Sequence, residues 1–219
     1  MQKDFWIDRW KNNQIGFHNN DVNPLLVENL SALNLSNLSR ILVPLCGKSK
    51  DISWLLGEGF LVVGVELSEM AVVQLFADLK LTPTIEIKHY GKIFSSKNLT
   101  IFVADIFELT VQDIGAVDGI YDRAALVALP PEMRGSYAKQ LIDISFGAPQ
   151  LLVSFDYEQD SLPGPPFSVP EAQLSALYGG AYQLNRLASA PLEGGLKGKC
   201  EALEQVWYLR PSAKNYSKE

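Results

Sequence analysis

Residues Arg40 to Glu66, RILVPLCGKSKDISWLLGEGFLVVGVE, decide how the rest of the chain is read. The run Ile41-Leu42-Val43 is short and β-branched, which suits a strand buried on both faces of a parallel sheet, and Pro44 ends it. The turn Leu45-Cys46-Gly47-Lys48-Ser49 follows. Ile52, Leu55 and Leu56 then recur at helical spacing until Gly57-Glu58-Gly59 stops the helix. A second apolar run, Phe60 to Val65, ends on Glu66. Strand, tight turn, helix and strand, with an acid about 20 residues after the turn, is the layout of a nucleoside-binding βαβ unit. A carboxylate at that strand tip can accept hydrogen bonds from ribose hydroxyls, although acids at strand tips are also ordinary solvated residues.

Counting along the turn separates the ligands it could serve. A P-loop requires a glycine separated by four residues from the Gly-Lys-Ser triplet, and Leu42 stands there, inside the strand. A dinucleotide fingerprint requires three glycines, and only Gly47 is present. The turn therefore provides poorly for a pyrophosphate. It suits a nucleoside without phosphates, of which S-adenosylmethionine is the common cofactor.

Composition bounds the partners. With 219 residues, 47% hydrophobic and 20% charged, the chain is long enough for one sizeable core and cramped for two. A net charge of −6 and a pI near 5.0 argue against nucleic acid, which asks for a basic face. No run reaches the roughly 18 apolar residues of a membrane span, and MQKDFWIDRW is not built like a signal peptide, so a cytoplasmic protein is expected. Two cysteines, Cys46 and Cys200, and two histidines support neither a disulfide framework nor a metal site. Cys46 reads as a small buried hydrophobe.

The remaining elements alternate in the same way. Residues 4 to 14 place Trp6 and Trp10 on one helical face, and the plain reading of Trp6 is packing against the body of the domain. Asn23-Pro24 opens a helix through Leu33. Ser68 caps a helix to Leu79, and Ile85 to Lys97 reads as a peripheral hairpin. Leu99 to Val103 is a buried strand with Asp105 just past its end, where it serves as a loop or N-cap acid or as an adenine contact. Val117 to Tyr121 is a further strand, with Asp122 and Arg123 following it at the expected mouth of a site. Pro130-Pro131 starts a helix through Ile144, and Leu151 to Phe155 forms the next strand. The proline-rich stretch 160–167 reads as a pocket wall or lid. A helix from Pro170 to Tyr178 and strands at Tyr182 to Leu187 and Ala202 to Leu209 complete the pattern. His18 alone indicates little.

The motifs FWIDRW (5–10), IGFH (15–18), PLCGKSKD (44–51), VGVE (63–66), ADIFEL (104–109) and YDRAALVALP (121–130) together resemble the thiopurine S-methyltransferases, in their bacterial branch. Each is short, but six in order over nearly the whole chain are hard to obtain by chance. The resemblance implies a Rossmann-like class I methyltransferase fold in one domain, residues 1–219. It would have a seven-stranded, mostly parallel sheet with helices on both faces, an N-terminal helical lid at 1–35 and a frayed tail at 212–219. It implies S-adenosylmethionine as cofactor and methyl transfer to the sulfur of aromatic or heterocyclic thiols, with selenium and tellurium species as possible acceptors and metalloid detoxification as a possible role. By position, Trp10, Leu45, Glu66 and Arg123 would contact the cofactor, Asp105 and Ile106 would border the adenine, and Phe17 would wall the substrate pocket. Arg123 is the candidate catalytic residue, and no general base is named. No metal, nucleic acid or membrane partner is expected, and the protein should act as a monomer on a small thiol or selenol. Two competing readings are a nicotinamide-dependent oxidoreductase and a non-catalytic nucleoside-binding protein.

Overall fold

The structure, a computed structural model, describes residues 3–16 and 18–212. Residue 17 and the tail from 213 lie outside them, so the expectations for Phe17 and for the frayed tail concern residues that are not described. The quoted stretch folds as read. Strand β1 (Arg40–Pro44) leads into helix α3 (Lys50–Gly57), which returns to β2 (Leu61–Glu66), and the two strands pair in parallel from Arg40 opposite Leu61 to Pro44 opposite Val65. Alternate residues of β1 belong to opposite cores: Ile41 and Val43 pack on one face and Leu42 on the other, all three buried. That two-sided burial is why the strand reads as an unbroken apolar run.

Nine strands form one sheet in the order β3-β4-β5-β2-β1-β6-β7-β9-β8. Strands β5 (Leu99–Val103), β2, β1, β6 (Gly119–Arg123) and β7 (Gln150–Asp156) are mutually parallel. The closing pair β8 (Tyr182–Pro191) and β9 (Leu203–Pro211) is antiparallel, with β9 lying against β7. Helices α2 (Pro24–Asn29), α3 and α4 (Glu69–Asp78) cover one face. Helix α6 (Pro131–Ser145), helix α7 (Glu171–Tyr178) and the short α5 (Val111–Ile114) cover the other. Helix α1 (Lys3–Lys11) precedes them all.

Two expectations need correction. The sheet has nine strands rather than seven, because the hairpin β3 (Thr84–Lys88) and β4 (Gly91–Ser96) is no separate appendage: β4 pairs along the whole of β5, and Phe94 is buried in the core. The strand expected to end at Tyr121 continues through Asp122 and Arg123, which pair with Leu152 and Val153 of β7. Arg123 is thus held by a sheet ladder, and period-2 alternation sends Asp122 to the opposite face.

Candidate active site

The first parallel turn crosses closely over β2. A Cβ on Gly64 would lie 2.7 Å from Cys46 Sγ and 2.5 Å from Ile101 Cδ1, so only glycine lets the turn sit down on the strand. Cys46 is buried there and burial pushes its thiol well up, which leaves it a packing residue. Gly47 has φ +52, and its missing side chain leaves room for the Trp10 indole: a Cβ would meet the ring at 3.1 Å. Leu45 and Ala124, at the carboxyl ends of β1 and β6, also adopt left-handed backbone, with φ 47 and 59. Non-glycine residues take this conformation at a cost of about 1–2 kcal/mol, which the surrounding packing must offset.

Glu66 closes this arrangement. It is buried, and its two oxygens accept the backbone N–H groups of Gly47 and Ser68, each at 2.8 Å. Burial raises its carboxyl, while the N–H groups of Ser68, Gly47 and Leu67 hold it down. A carboxylate has about four acceptor sites, so these N–H groups leave it able to accept further from a ribose hydroxyl.

A cleft of about 840 Å³ opens along the carboxyl ends of β1, β2, β6 and β7, where ligands bind in open α/β sheets. Trp10, Leu45, Glu66 and Arg123 line it together. A smaller hollow of about 50 Å³ adjoins it, sharing Trp6, Leu45, Glu66 and Leu67, and is walled by Asp105 and Ile106. The six expected cofactor residues thus line one or the other of two adjacent spaces, with Leu45 and Glu66 lining both. Asp105 is an N-cap acid, one of the two roles expected for it, and it also lines the smaller hollow. Oδ1 caps the following 3-10 turn through Phe107 N–H at 3.1 Å, while Oδ2 faces the hollow's rim and pairs with Lys3 at 2.9 Å. Lys3 also reaches Glu108 at 2.8 Å, so α1 is tied across the opening at one end and by Trp10 at the other.

Arg123 is oriented by a residue the sequence reading passed over. Asp51, the last residue of PLCGKSKD, is 1% exposed at the start of α3. Its Oδ1 accepts Asn23 N–H at 2.8 Å, its Oδ2 accepts the Tyr121 hydroxyl at 3.1 Å, and Arg123 Nη1 lies 3.6 Å away. An aspartate in the first turn of a helix reads as a dipole-favourable surface acid. Only the docking of Asn23 over it makes it buried, and no local signal reports that. Trp6, expected to be packing, is half-buried and lines both spaces. His18 lines the large cleft, with its pKa lowered by burial and by nearby Lys48, so it faces the cleft neutral. Pro165 and Pro166 form part of the far wall, which places the proline-rich stretch at the pocket. Glu204 of β9, unnoticed in the sequence, lines the same side.

The residues present suit S-adenosylmethionine. The buried, doubly hydrogen-bonded Glu66 stands where a ribose would be gripped, beside a small hollow and a larger cleft. The space above Gly47 is taken by the Trp10 indole, which a Cβ there would meet at 3.1 Å.

Comparison with known proteins agrees. The family model for thiopurine S-methyltransferase matches residues 1–208. A thiopurine S-methyltransferase of Xanthobacter autotrophicus is 50% identical over 210 residues, covering 95% of this chain and 99% of the relative. One of Gluconobacter oxydans is 49% identical, covering 94% of each. Among solved structures, Burkholderia thailandensis 1,6-didemethyltoxoflavin-N1-methyltransferase, solved with S-adenosylhomocysteine, superposes with a TM-score of 0.65 at 14% identity over 95% of this chain and 87% of that one, which speaks for the fold. With the family model matched over residues 1–208 and relatives about half identical along almost their whole length, the chain belongs to the thiopurine S-methyltransferase family of S-adenosylmethionine-dependent methyltransferases.

Proposed function

We propose that the protein transfers the methyl group of S-adenosylmethionine to the sulfur of aromatic and heterocyclic thiols, and that selenols and related soft chalcogen nucleophiles are also accepted. The observation that carries this reading is the junction at Glu66, where a small hollow beside Asp105 and Ile106 meets a cleft ending at Arg123. The names of the relatives support thiol sulfur as the acceptor atom.

When bound, the cofactor supplies an electrophilic methyl group on a sulfonium. The chain's residues do the positioning. Glu66 accepts the ribose hydroxyls; Asp105 and Ile106 border the adenine; the backbone at Leu45 lines the middle of the ligand; and Trp10 lays an aromatic face near the cationic centre. Arg123, fixed by Asp51, receives the acceptor's developing thiolate and stabilises it as a charge partner. Holding donor and acceptor in line supplies most of the rate. Residues 1–35 act as a lid over the loaded site, within a single domain that works as a cytoplasmic monomer. Among the described residues, no helix is long and apolar enough to cross a membrane.

Calorimetry with S-adenosylmethionine and with NAD tests the cofactor assignment against a nicotinamide enzyme. A labelled methyl donor, offered with a panel of thiols and selenols, tests catalysis against silent nucleoside binding. Tight binding of S-adenosylmethionine, none of NAD, and S-methyl product are expected. Cofactor binding with no methyl product on any acceptor would leave a nucleoside-binding protein.

A further inference from the structure

Arg123 lies between two carboxylates that are provided for very differently. Asp51 is buried and its oxygens are taken by Asn23, Tyr121 and Arg123. Glu204 sits near the start of β9. Because β9 runs antiparallel beside β7, Val206 lies across Val153 from Arg123, and Glu204 lies opposite Phe155, two residues nearer the mouth. Strand alternation puts Glu204 on the face of Val206, the face that packs with Tyr121 and Val153. It lines the cleft half-buried and, among the described residues, forms no salt bridge and no side-chain hydrogen bond. A partly desolvated carboxylate facing a ligand space with nothing to hold is a group set aside for the ligand.

We propose that Glu204 is the general base that takes the proton of the acceptor thiol, which extends the acceptors to thiols that are not ionised in free solution. This rests on the S-methyltransferase reading of the cleft. In the step, the acceptor S–H bond breaks and its proton passes to a Glu204 carboxylate oxygen. The electron pair left on sulfur forms the S–CH3 bond. The bond between the methyl carbon and the donor sulfonium breaks, with its pair remaining on the donor sulfur, and Glu204 returns the proton to solvent once product has left. Arg123 serves both halves, steadying the thiolate and keeping Glu204 ionised beforehand.

The local electrostatics are consistent with this role. Burial pushes the Glu204 carboxyl up and Arg123 draws it back, which places it closer to the working range of a base than a surface glutamate. Besides Arg123, the other titratable groups lining the cleft are Tyr121 of β6, Asp51 of α3, Arg9 of α1, His18, Glu28 of α2, Cys46 and Lys48 of the first turn, Glu66 of β2, and Lys197 of the β8–β9 connection. The positions paired with it on β7 and β8 are Phe155 and Ala190, which carry no charge.

The test compares wild type with Glu204→Gln on two acceptors, one already ionised at the assay pH and one of alkyl-thiol acidity, pKa roughly 8.5. General-base loss should lower kcat/KM about 100-fold or more for the weakly acidic thiol while leaving the ionised one within about threefold. For the weakly acidic thiol, the acid limb of the kcat/KM profile should move up to the thiol's own ionisation, roughly pH 8.5, in Glu204→Gln and stay at lower pH in Glu204→Asp. A readout independent of turnover is the proton count when a pre-ionised thiolate binds the protein loaded with S-adenosylhomocysteine, taken from calorimetry in buffers of different ionisation heat. Wild type should take up a proton on Glu204, and Glu204→Gln should not. Equal losses on both acceptors, no loss on either, or equal proton uptake by both proteins would overturn the role of Glu204. Failure of wild type to methylate any thiol would instead defeat the S-methyltransferase reading itself.

Discussion

At the scale of single residues, Glu66 and Arg123 carry the most weight. Glu66→Ala removes the ribose acceptor, and a hydrogen bond to a charged group contributes roughly 1.5–3 kcal/mol, so S-adenosylmethionine affinity should fall by about one to two decades. The same substitution strands the Gly47 and Ser68 N–H groups in a buried turn, so the melting temperature should drop as well. A dissociation constant unchanged by calorimetry would remove Glu66 from the site. Arg123→Lys keeps the charge beside Asp51 but loses the planar fork. Turnover is expected to fall at least about tenfold, since general electrostatic stabilisation at a transition state is worth several kcal/mol. Kinetics with turnover and both substrate constants within twofold of wild type would show the assignment to be mistaken. Both residues are legible in the sequence because each stands at the tip of an apolar run. Asp51 and Glu204 are not, because their environments are made by Asn23, 28 positions away along the chain, and by the return of β9 to the side of β7.

Among the elements, α1 is the one for which we propose a function that depends on motion. Its anchors include the exposed Lys3 pairing with Asp105 and Glu108, and Trp10 resting on Gly47. Exposed ion pairs of this kind contribute little. A lid with such anchors should gain order when the cofactor adds contacts, since those contacts offset the entropy of holding it down. Amide exchange in residues 4–11 is expected to slow at least about tenfold in the complex with S-adenosylhomocysteine, while exchange in β1 and β2 changes little. Equal exchange in both states would make α1 a fixed buttress. The sequence locates this helix through the Trp6 and Trp10 spacing, but the spacing cannot distinguish a face that covers a core from one that covers a cleft. The hairpin is peripheral as read, at the edge of the sheet, but its pairing with β5 was not legible for a related reason. Every residue of β3 is exposed, so its pattern reads as peripheral, whereas β4 joins the sheet through backbone pairing that leaves little trace in side-chain type.

For the molecule as a whole, the parallel sheet was readable because two-sided burial makes each central strand a continuous apolar run, and it places Leu45, Glu66 and Arg123 together at the carboxyl ends of its strands. The same burial gives the fold a pH dependence. Asp122, on the face of β6 turned away from Arg123, is fully buried, and burial raises its pKa to about 6 despite hydrogen bonds from Leu126 N–H and the Tyr137 hydroxyl. Its ordinary value is about 3.9. A carboxyl raised on folding is ionised at a cost. The native state holds its proton where the unfolded state has lost it, so stability falls as pH rises from about 4 to about 6, and the full penalty, on the order of 3 kcal/mol, is present above 6. Asp122→Asn should therefore raise the urea midpoint at pH 7 and flatten its slope between pH 4 and 6. A midpoint that is unchanged or lower at pH 7, with the slope retained, would mean that the ionised carboxylate is well held.

The central claim is that the cleft joining Glu66 to Arg123 brings S-adenosylmethionine and a thiol together for methyl transfer. It is tested most directly by incubating the purified protein with methyl-labelled S-adenosylmethionine and an aromatic or heterocyclic thiol, and following label into the thiol by mass spectrometry. The account predicts S-methyl product from wild type and a strongly reduced yield from Glu66→Ala and Arg123→Lys at sub-saturating cofactor. Absence of S-methyl product across a panel of such thiols, or yields from both variants equal to wild type, would contradict it.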